Sequence, residues 1–265
     1  MNKAFNYNNK KIQPLDSQID TKITTDIKIP FSALITGGKG AGKSSLICNL
    51  LLKDCYLRKQ FNKLYYFSPT ASLDRKLQNN ITNDITVKNP YLKRPRADLP
   101  FGWGQQQQEP EPDRVFFIDT LDPEIFNGIK TVQKSMINKH SKKYSDRILI
   151  VIDDFASDKF LHSKPFLNLV LNSRHFNISL IINTQAYFLI DKTLRLNSSL
   201  IVLFETGNEK ELKTIYDENN CNITFNEWIS IYKSIVKEPF QFMTINYQNP
   251  PKYRIMENLE YFIKL

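Results

Sequence analysis

Apolar runs alternate with longer amphipathic stretches between residues 31 and 204. Continuous apolar character is typical of parallel strands that are covered on both faces. Strands that alternate with helices predict βαβ units, so we expect an α/β fold with a mostly parallel central sheet flanked by helices. The predicted strands cover residues 31–36, 63–67, 115–118, 147–152, 178–183 and 199–204.

Three segments depart from this alternation. Residues 1–29 are polar until TKITTDIKI, whose alternation predicts a lead-in strand, so we expect an N-terminal arm. Residues 90–113 contain five prolines and a QQQQ run, which predicts an insertion loop within a core of residues 30–204. Two helical stretches, a strand and a tail follow residue 204, so residues 205–265 should form a small α+β elaboration packed on the core.

Composition narrows the class of protein. The 265 residues carry a formal net charge of +9, which favours a polyanionic partner, although a lysine-rich surface without such a partner would give the same value. The three cysteines have no paired spacing, which favours a reducing compartment. No apolar run has the length of a signal sequence core or a membrane span, so we expect a protein that is neither secreted nor membrane-bound.

Residues 37–44 complete a G-x-x-x-x-G-K-S pattern directly after the first predicted strand. Glycines let backbone N–H groups turn toward phosphate oxygens, and the helix that follows adds its positive end. Lys43 should reach the β- and γ-phosphates, and Ser44 should supply a hydroxyl to Mg²⁺, whereas the side chain of Lys39 has no assigned role. A turn that only joins strand to helix is the alternative. The expected nucleotide-binding residues are Gly37, Gly38, Lys39, Gly40, Ala41, Gly42, Lys43, Ser44 and Ser45.

A magnesium nucleotide also needs a carboxylate at the end of a neighbouring strand. The run ILIVIDD offers Asp153 to hold the metal through water and Asp154 to polarise the attacking water. A pair of aspartates after a strand also suits a turn or a helix cap. Asp119 ends a rival run, VFFID, but Asp122 and the proline after it suit the start of a helix there, so we favour Asp153.

Three more polar residues are candidates for the site. Gln185 follows the strand after the aspartate pair and is expected to contact the γ-phosphate or the water, unless it only marks where a buried strand reaches solvent. Arg174 follows the next helix, and Arg195 lies in a predicted loop, KTLRLN. Either guanidinium is expected to reach the nucleotide of a neighbouring subunit, although Arg174 equally suits a helix C-terminus.

Several blocks occur along the sequence: GGKGAGKSS, SPT, ILIVIDDF, NSRHFNISLIINTQ, LRLNSSLIVLF and PPKYRIMENLEYF. Together these blocks resemble the poxvirus-type genome-packaging ATPases, a family of the FtsK/HerA superfamily of P-loop motors that also occurs in giant viruses, virophages and virus-like transposons. The resemblance covers residues 31–262, and the second carboxylate is Asp where the superfamily usually has Glu. The matching positions are Lys43 and Ser44 in the nucleotide loop, Asp153 and Asp154 as carboxylates, Gln185 as sensor, and Arg174 in the RH motif.

The resemblance implies a P-loop ATPase that uses ATP and Mg²⁺ to move double-stranded DNA into a viral capsid as a homo-oligomeric ring. Such a motor would contact capsid proteins in the host cytoplasm, the viral factory or the virion. The alternatives are a cellular HerA-like or conjugation-type DNA translocase, a small-molecule or nucleotide kinase, and a non-hydrolysing scaffold. A GTPase is disfavoured because the chain has no N-K-x-D stretch to read guanine. We also expect no nuclease activity, because residues 205–265 are too few for a typical separate nuclease domain.

Overall fold

The computed structural model describes residues 27–52, 57–71, 73–74, 78, 81, 114–155, 157–219 and 222–263. Most of the expected N-terminal arm and its lead-in strand lie outside these residues. The expected insertion at 90–113, Cys55 and Cys221 lie outside them entirely.

A nine-stranded sheet forms the centre of the molecule, in the order β3-β2-β4-β5-β1-β6-β7-β8-β9. The first six strands in this order are parallel, and the last three pairings are antiparallel. Each of the six strands predicted between residues 31 and 204 is present to within one residue at either end, so the α/β fold class is confirmed. The strands are β1 (Ser32–Thr36), β2 (Lys63–Phe67), β3 (Arg114–Ile118), β4 (Ile148–Asp153), β5 (Ile178–Thr184), β6 (Leu200–Phe204), β7 (Phe242–Asn246), β8 (Ile255–Glu257) and β9 (Tyr261–Phe262).

Local capping explains where two of the helices begin. The Asp122 carboxylate accepts the Glu124 N–H at 2.8 Å, as predicted for the rival carboxylate segment. KTLRLN, predicted as a loop, is a helix instead, because Asp191 caps it by accepting the Thr193 N–H at 2.7 Å. The helices are α1 (Lys43–Leu51), α2 (Pro123–His140), α3 (Lys164–Asn172), α4 (Lys192–Asn197), α5 (Glu209–Glu218) and α6 (Phe225–Ile235). Among the described residues, none of these helices has the length and apolar character that a bilayer span requires.

Two apolar clusters cover the two faces of the sheet. Successive side chains of a strand point to opposite faces, so Ile150 and Ile152 enter one cluster while Leu149 and Val151 enter the other. In the described part of the chain, α1 packs in the second cluster, and α2 to α6 contribute to the first. The sheet is therefore buried from both sides, as continuous apolar strands predict.

The order of the strands corrects one expectation. The aspartate strand β4 was predicted to neighbour the phosphate-loop strand β1, but β5 lies between them. The register pairs Asp153 with Asn183 of β5, and Asn183 with Ile35 of β1. Because parallel strands end at the same edge, the three strand ends still meet, and the aspartate pair lies two strands from the loop.

The segment after β6 extends the same sheet rather than standing apart from it. Strand β7 pairs with β6, and α6 lies over the first apolar cluster with Trp228 fully buried. The hydroxyl of Tyr232 donates to the Phe204 carbonyl at 3.0 Å and accepts the Thr206 N–H at 2.8 Å. Helix α6 is thereby tied to the backbone that leaves β6. The tail adds β8 and β9, which the apolar pattern did not predict.

Gly128 offers a test of helix α2. It lies inside the helix, and a Cβ built there would have no atom within 4 Å. Gly128→Ala should raise the free energy of unfolding by about 0.5 to 1 kcal/mol, because alanine has the higher helix propensity. Urea unfolding followed by circular dichroism measures this. Gly207→Ala, equally open but outside any helix, should give a smaller gain; an equal gain from both would mean that helix propensity is not the cause.

Candidate nucleotide-binding site

The loop between β1 and α1 presents an uncapped helix N-terminus. Gly42 is the N-cap residue, and no side chain caps the helix. The first backbone hydrogen bond of the helix runs from the Leu46 N–H to the Gly42 carbonyl at 2.9 Å. The N–H groups of residues 42–45 therefore precede the helical ladder. An uncapped turn of N–H groups at the positive end of a helix suits a bound phosphate.

The glycines at each end of the loop allow a close approach of other elements. A Cβ at Gly37 would lie 2.5 Å from the Cβ of Phe204. A Cβ at Gly42 would lie 2.9 Å from Cδ1 of Phe240, and Gly42 has a φ of +102°, which is strained for other residues. The loop is thus held against β6 on one side and against the turn before β7 on the other. Only glycine fits this cradle without moving it.

Lys43 is buried at the start of α1, and its side chain folds back over the loop. The ammonium donates to the carbonyls of Gly37 and Gly38, at 2.8 Å each. Burial lowers the pKa of Lys43, and the charges of Asp154 and Asp153 act in the opposite direction. Asp153 is level with Asn183 and Asn183 with Ile35, two residues before the loop, so the structure brings the two parts of the predicted site to the same end of the sheet.

Asp153 ends β4 in a buried position between two neutral donors. The Tyr66 hydroxyl of β2 donates to Oδ2 at 2.6 Å, and the Asn183 amide of β5 donates to Oδ1. Burial raises the pKa of Asp153, and these two hydrogen bonds oppose the rise. Sequence reasoning missed both donors. Tyr66 lies in an apolar strand with no motif. Asn183 precedes Thr184 and Gln185, and the prediction used Gln185 instead.

The oxygen groups at the carboxyl ends of β4 and β5 and in the first turn of α1 are of the types that suit a hard cation. The Asn183 Oδ1 atom is buried and has no hydrogen-bond partner among the described residues. Beside it lies a buried carboxylate, and Ser44 is exposed in the first turn of α1. Carboxylate, amide carbonyl and hydroxyl oxygens are ligand types suited to Mg²⁺, directly or through water. The residues present therefore fit the ion that a triphosphate would bring.

The remaining predicted polar residues of the core lie at the same edge. Asp154 follows β4 with a φ of +59° and is exposed, and Gln185 is exposed directly after β5. Thr184 is buried and donates to the carbonyl of Ala186 at 2.9 Å, so its hydroxyl belongs to a local turn. The rival Asp119 follows β3, which ends the sheet four strands away from β1.

The two arginines proposed for contact with a neighbouring subunit, Arg174 and Arg195, differ in their exposure to solvent. Arg174 is exposed in the turn 173–176, just before β5 begins, and so lies at the sheet edge opposite the phosphate loop. Arg195 is buried; its Nη2 lies 3.1 Å from the Glu218 carboxylate, and its guanidinium lies 4.7 Å from the ring centre of Tyr187. Arg195 is therefore held within its own subunit, which does not suit the predicted contact with a neighbouring one.

The sequence comparisons identify viral relatives. The sequence model of the family described as Poxvirus A32 protein matches residues 112–243. DNA packaging protein OPG160 of vaccinia virus (strain Copenhagen) is 23% identical over 164 residues, which are 61% of this chain and 48% of the relative. The monkeypox virus protein of the same name is 23% identical over 164 residues, with 61% and 43% covered. The chain thus spans about half the length of the curated relatives it matches.

Solved structures share the fold. The genome packaging NTPase B204 from Sulfolobus turreted icosahedral virus 2, in complex with AMPPCP, has a TM-score of 0.53 at 15% identity, with 88% of this chain and 98% of B204 covered. The pCW3 conjugation coupling protein TcpA has a TM-score of 0.52 at 12% identity, with 89% and 61% covered. With a family match across residues 112–243, just under half of its length, and a P-loop NTPase fold, this chain is similar to the poxvirus A32 proteins.

Proposed function

We propose that this protein is an ATP-driven motor that moves double-stranded DNA into a viral capsid. It would work as a homo-oligomeric ring, with capsid proteins as partners, in the host cytoplasm or viral factory. Lys43 begins the helix after β1, Asp153 ends β4 and Asp154 follows it at the same edge of the sheet, and this placement supports the function more than any other feature. A turn that merely joined β1 to α1 would have no need of a buried lysine and a buried carboxylate there.

The chemistry would be in-line attack of water on the γ-phosphate. Asp154 would orient and polarise the water, and Lys43 together with the N–H groups of residues 42–45 would offset the charge on the transferred phosphoryl group. Gln185, at the same edge, would sense the γ-phosphate or the water. Ser44 and Asp153 would hold Mg²⁺, which would supply further neutralisation of the phosphate oxygens.

The names of the similar proteins support both DNA packaging and the use of a nucleotide. OPG160 is named a DNA packaging protein, and B204 is a genome packaging NTPase solved with AMPPCP and with AMP. TcpA has nearly the same TM-score as B204, so fold likeness alone does not favour packaging over conjugation. The Poxvirus A32 family match favours packaging.

A basic surface supports DNA as the substrate. Residues 125–145, which cover most of α2 and the turn after it, contain no acidic residue. The Asn177 amide donates to the Lys142 carbonyl at 2.7 Å, so the turn 173–176 lies next to this segment. Asp146, the next acidic residue along the chain, is buried and lies 2.8 Å from the Lys63 ammonium. A segment with exposed cations and no carboxylate of its own attracts a phosphate backbone through counterion release. The exposed cations of this basic surface are Lys134, Lys139, Lys142, Lys143 and Arg174.

ATP hydrolysis with and without double-stranded DNA tests the motor directly. DNA should raise the rate of the parent protein. Lys43→Ala and Asp154→Asn should each lower the rate by about 100-fold or more, because each removes a group that acts on the transition state. Lys233→Ala is the control: it removes an exposed lysine of α6 that has no part in the predicted site, and its rate should stay near that of the parent. A rate indifferent to DNA, with no DNA binding, would favour the kinase or scaffold alternatives.

Tyr66→Phe tests whether Asp153 holds the metal. The change removes the hydroxyl that orients the carboxylate and leaves the ring in place. Loss of such a supporting hydrogen bond typically weakens metal binding about 10- to 100-fold, so half-maximal hydrolysis should require more Mg²⁺ by a factor in that range. A magnesium titration at saturating ATP measures this. Tyr65→Phe, which alters the adjacent residue on the other face of β2, should leave the titration unchanged.

Arg174→Ala tests for a site completed by a neighbouring subunit. If Arg174 stabilises the transferred phosphoryl group in trans, its loss should slow DNA-free hydrolysis on the order of 1,000-fold. Mixing Arg174→Ala with Lys43→Ala should then restore part of the rate, because some interfaces would combine an intact loop with an intact arginine. Lys142→Ala, another exposed cation of the basic surface, should leave DNA-free hydrolysis unchanged. If Arg174→Ala weakens only DNA binding, the residue belongs to the DNA contact instead.

A further inference from the structure

Phe240 is an aromatic residue that the hydrophobic core does not account for. It lies in the turn between α6 and β7 and is 43% exposed. Its φ is +65°, a conformation that bulky side chains rarely adopt. Such residues persist only where the surrounding structure fixes them, and they concentrate at ligand-binding positions.

Hydrogen bonds hold the turn on both sides of Phe240. The Gln241 N–H donates to the Glu238 carbonyl at 3.2 Å, and the Glu238 N–H donates to the Gln241 side chain at 3.3 Å. The Phe242 N–H donates to the Asn258 side chain at 3.1 Å, and Phe242 is already part of β7. The backbone that carries the exposed ring is thus fixed before any ligand arrives.

The ring stands against the phosphate loop. A Cβ built on Gly42 would lie 2.9 Å from Cδ1 of Phe240 and 3.5 Å from the Phe240 Cβ. Cε1 of Phe204 lies 3.5 Å from the same position, but that ring is fully buried and packs on Phe242. Packing in the apolar core explains why Phe204 is buried. The same packing does not explain why Phe240 is exposed beside an anion-binding loop.

We infer that Phe240 is a stacking platform for the base of the nucleotide whose phosphates occupy the loop. The inference rests on the proposed function. A base is tethered to its phosphates, so an exposed ring in contact with the phosphate loop lies where a base can reach it. Every nucleobase has a π-face, so this platform favours nucleotides over base-free polyphosphates without choosing between adenine and guanine. Removing one stacking ring typically costs roughly 10- to 100-fold in affinity.

Calorimetric titration with two ligands tests the platform: ADP, which carries a base, and inorganic tripolyphosphate, which does not. The parent is compared with Phe240→Ala, Phe240→Tyr and Phe240→Asn, the last because asparagine tolerates a positive φ and should fold well. Phe240→Ala and Phe240→Asn should weaken ADP binding roughly 10- to 100-fold and leave tripolyphosphate binding unchanged. Phe240→Tyr keeps the ring and should bind both ligands as the parent does.

Two results would overturn the inference alone. If the alanine and asparagine variants bind ADP as tightly as the parent, no stacking occurs. If they lose ADP and tripolyphosphate affinity equally, the ring only supports Gly42. A parent protein that binds neither ligand and hydrolyses no ATP would instead overturn the proposed function, and the platform with it.

Discussion

The candidate site depends on the register of three parallel strands. Asp153, Asn183 and Ile35 are level across β4, β5 and β1, so the phosphate loop and the aspartate pair leave the sheet at one edge. Side chains alternate between faces along a strand, and a slip of one residue in β4 would turn Asp153 to the opposite face. Packing on both sides opposes such a slip, because each apolar side chain of β4 would move from one apolar cluster into the other, where the space around it has a different shape. The core thus fixes the position of a polar group that contributes little to the core itself.

Local patterns predicted most of the fold because the parallel strands are buried on both faces. Each apolar run had to be a strand or a buried helix, and its length decided between them. The phosphate loop was predicted from its glycines, which the structure explains by the contacts at Gly37 and Gly42. The lateral order of strands has no local signal, so the insertion of β5 between β1 and β4 was not predicted. The prediction of a loop at KTLRLN was wrong, because Asp191 caps a helix there.

The residues that sequence reasoning missed share one property, which is that their role arises only from contacts between distant segments. Tyr66 lies 87 positions from Asp153, and its hydroxyl matters only because β2 pairs with β4. Asn183 reads as one more polar residue at a strand exit. Phe240 was predicted as the first residue of a strand, FQFMTINY, and only its contact with Gly42 connects it to the phosphate loop. Arg195 shows the reverse case, since a residue predicted to face a neighbour is enclosed with Glu218 instead.

The hydroxyl of Tyr232 joins two regions that a linear view of the chain would separate. It links α6 to the backbone on either side of Glu205, whose carbonyl accepts the Gly38 N–H at 3.5 Å. The phosphate loop is thus stabilised through Tyr232, which lies almost two hundred positions later in the sequence. During synthesis that support arrives only after most of the polypeptide has been made. The loop therefore receives this support only after residues 205–265, about the last quarter of the 265 residues, have folded beside it.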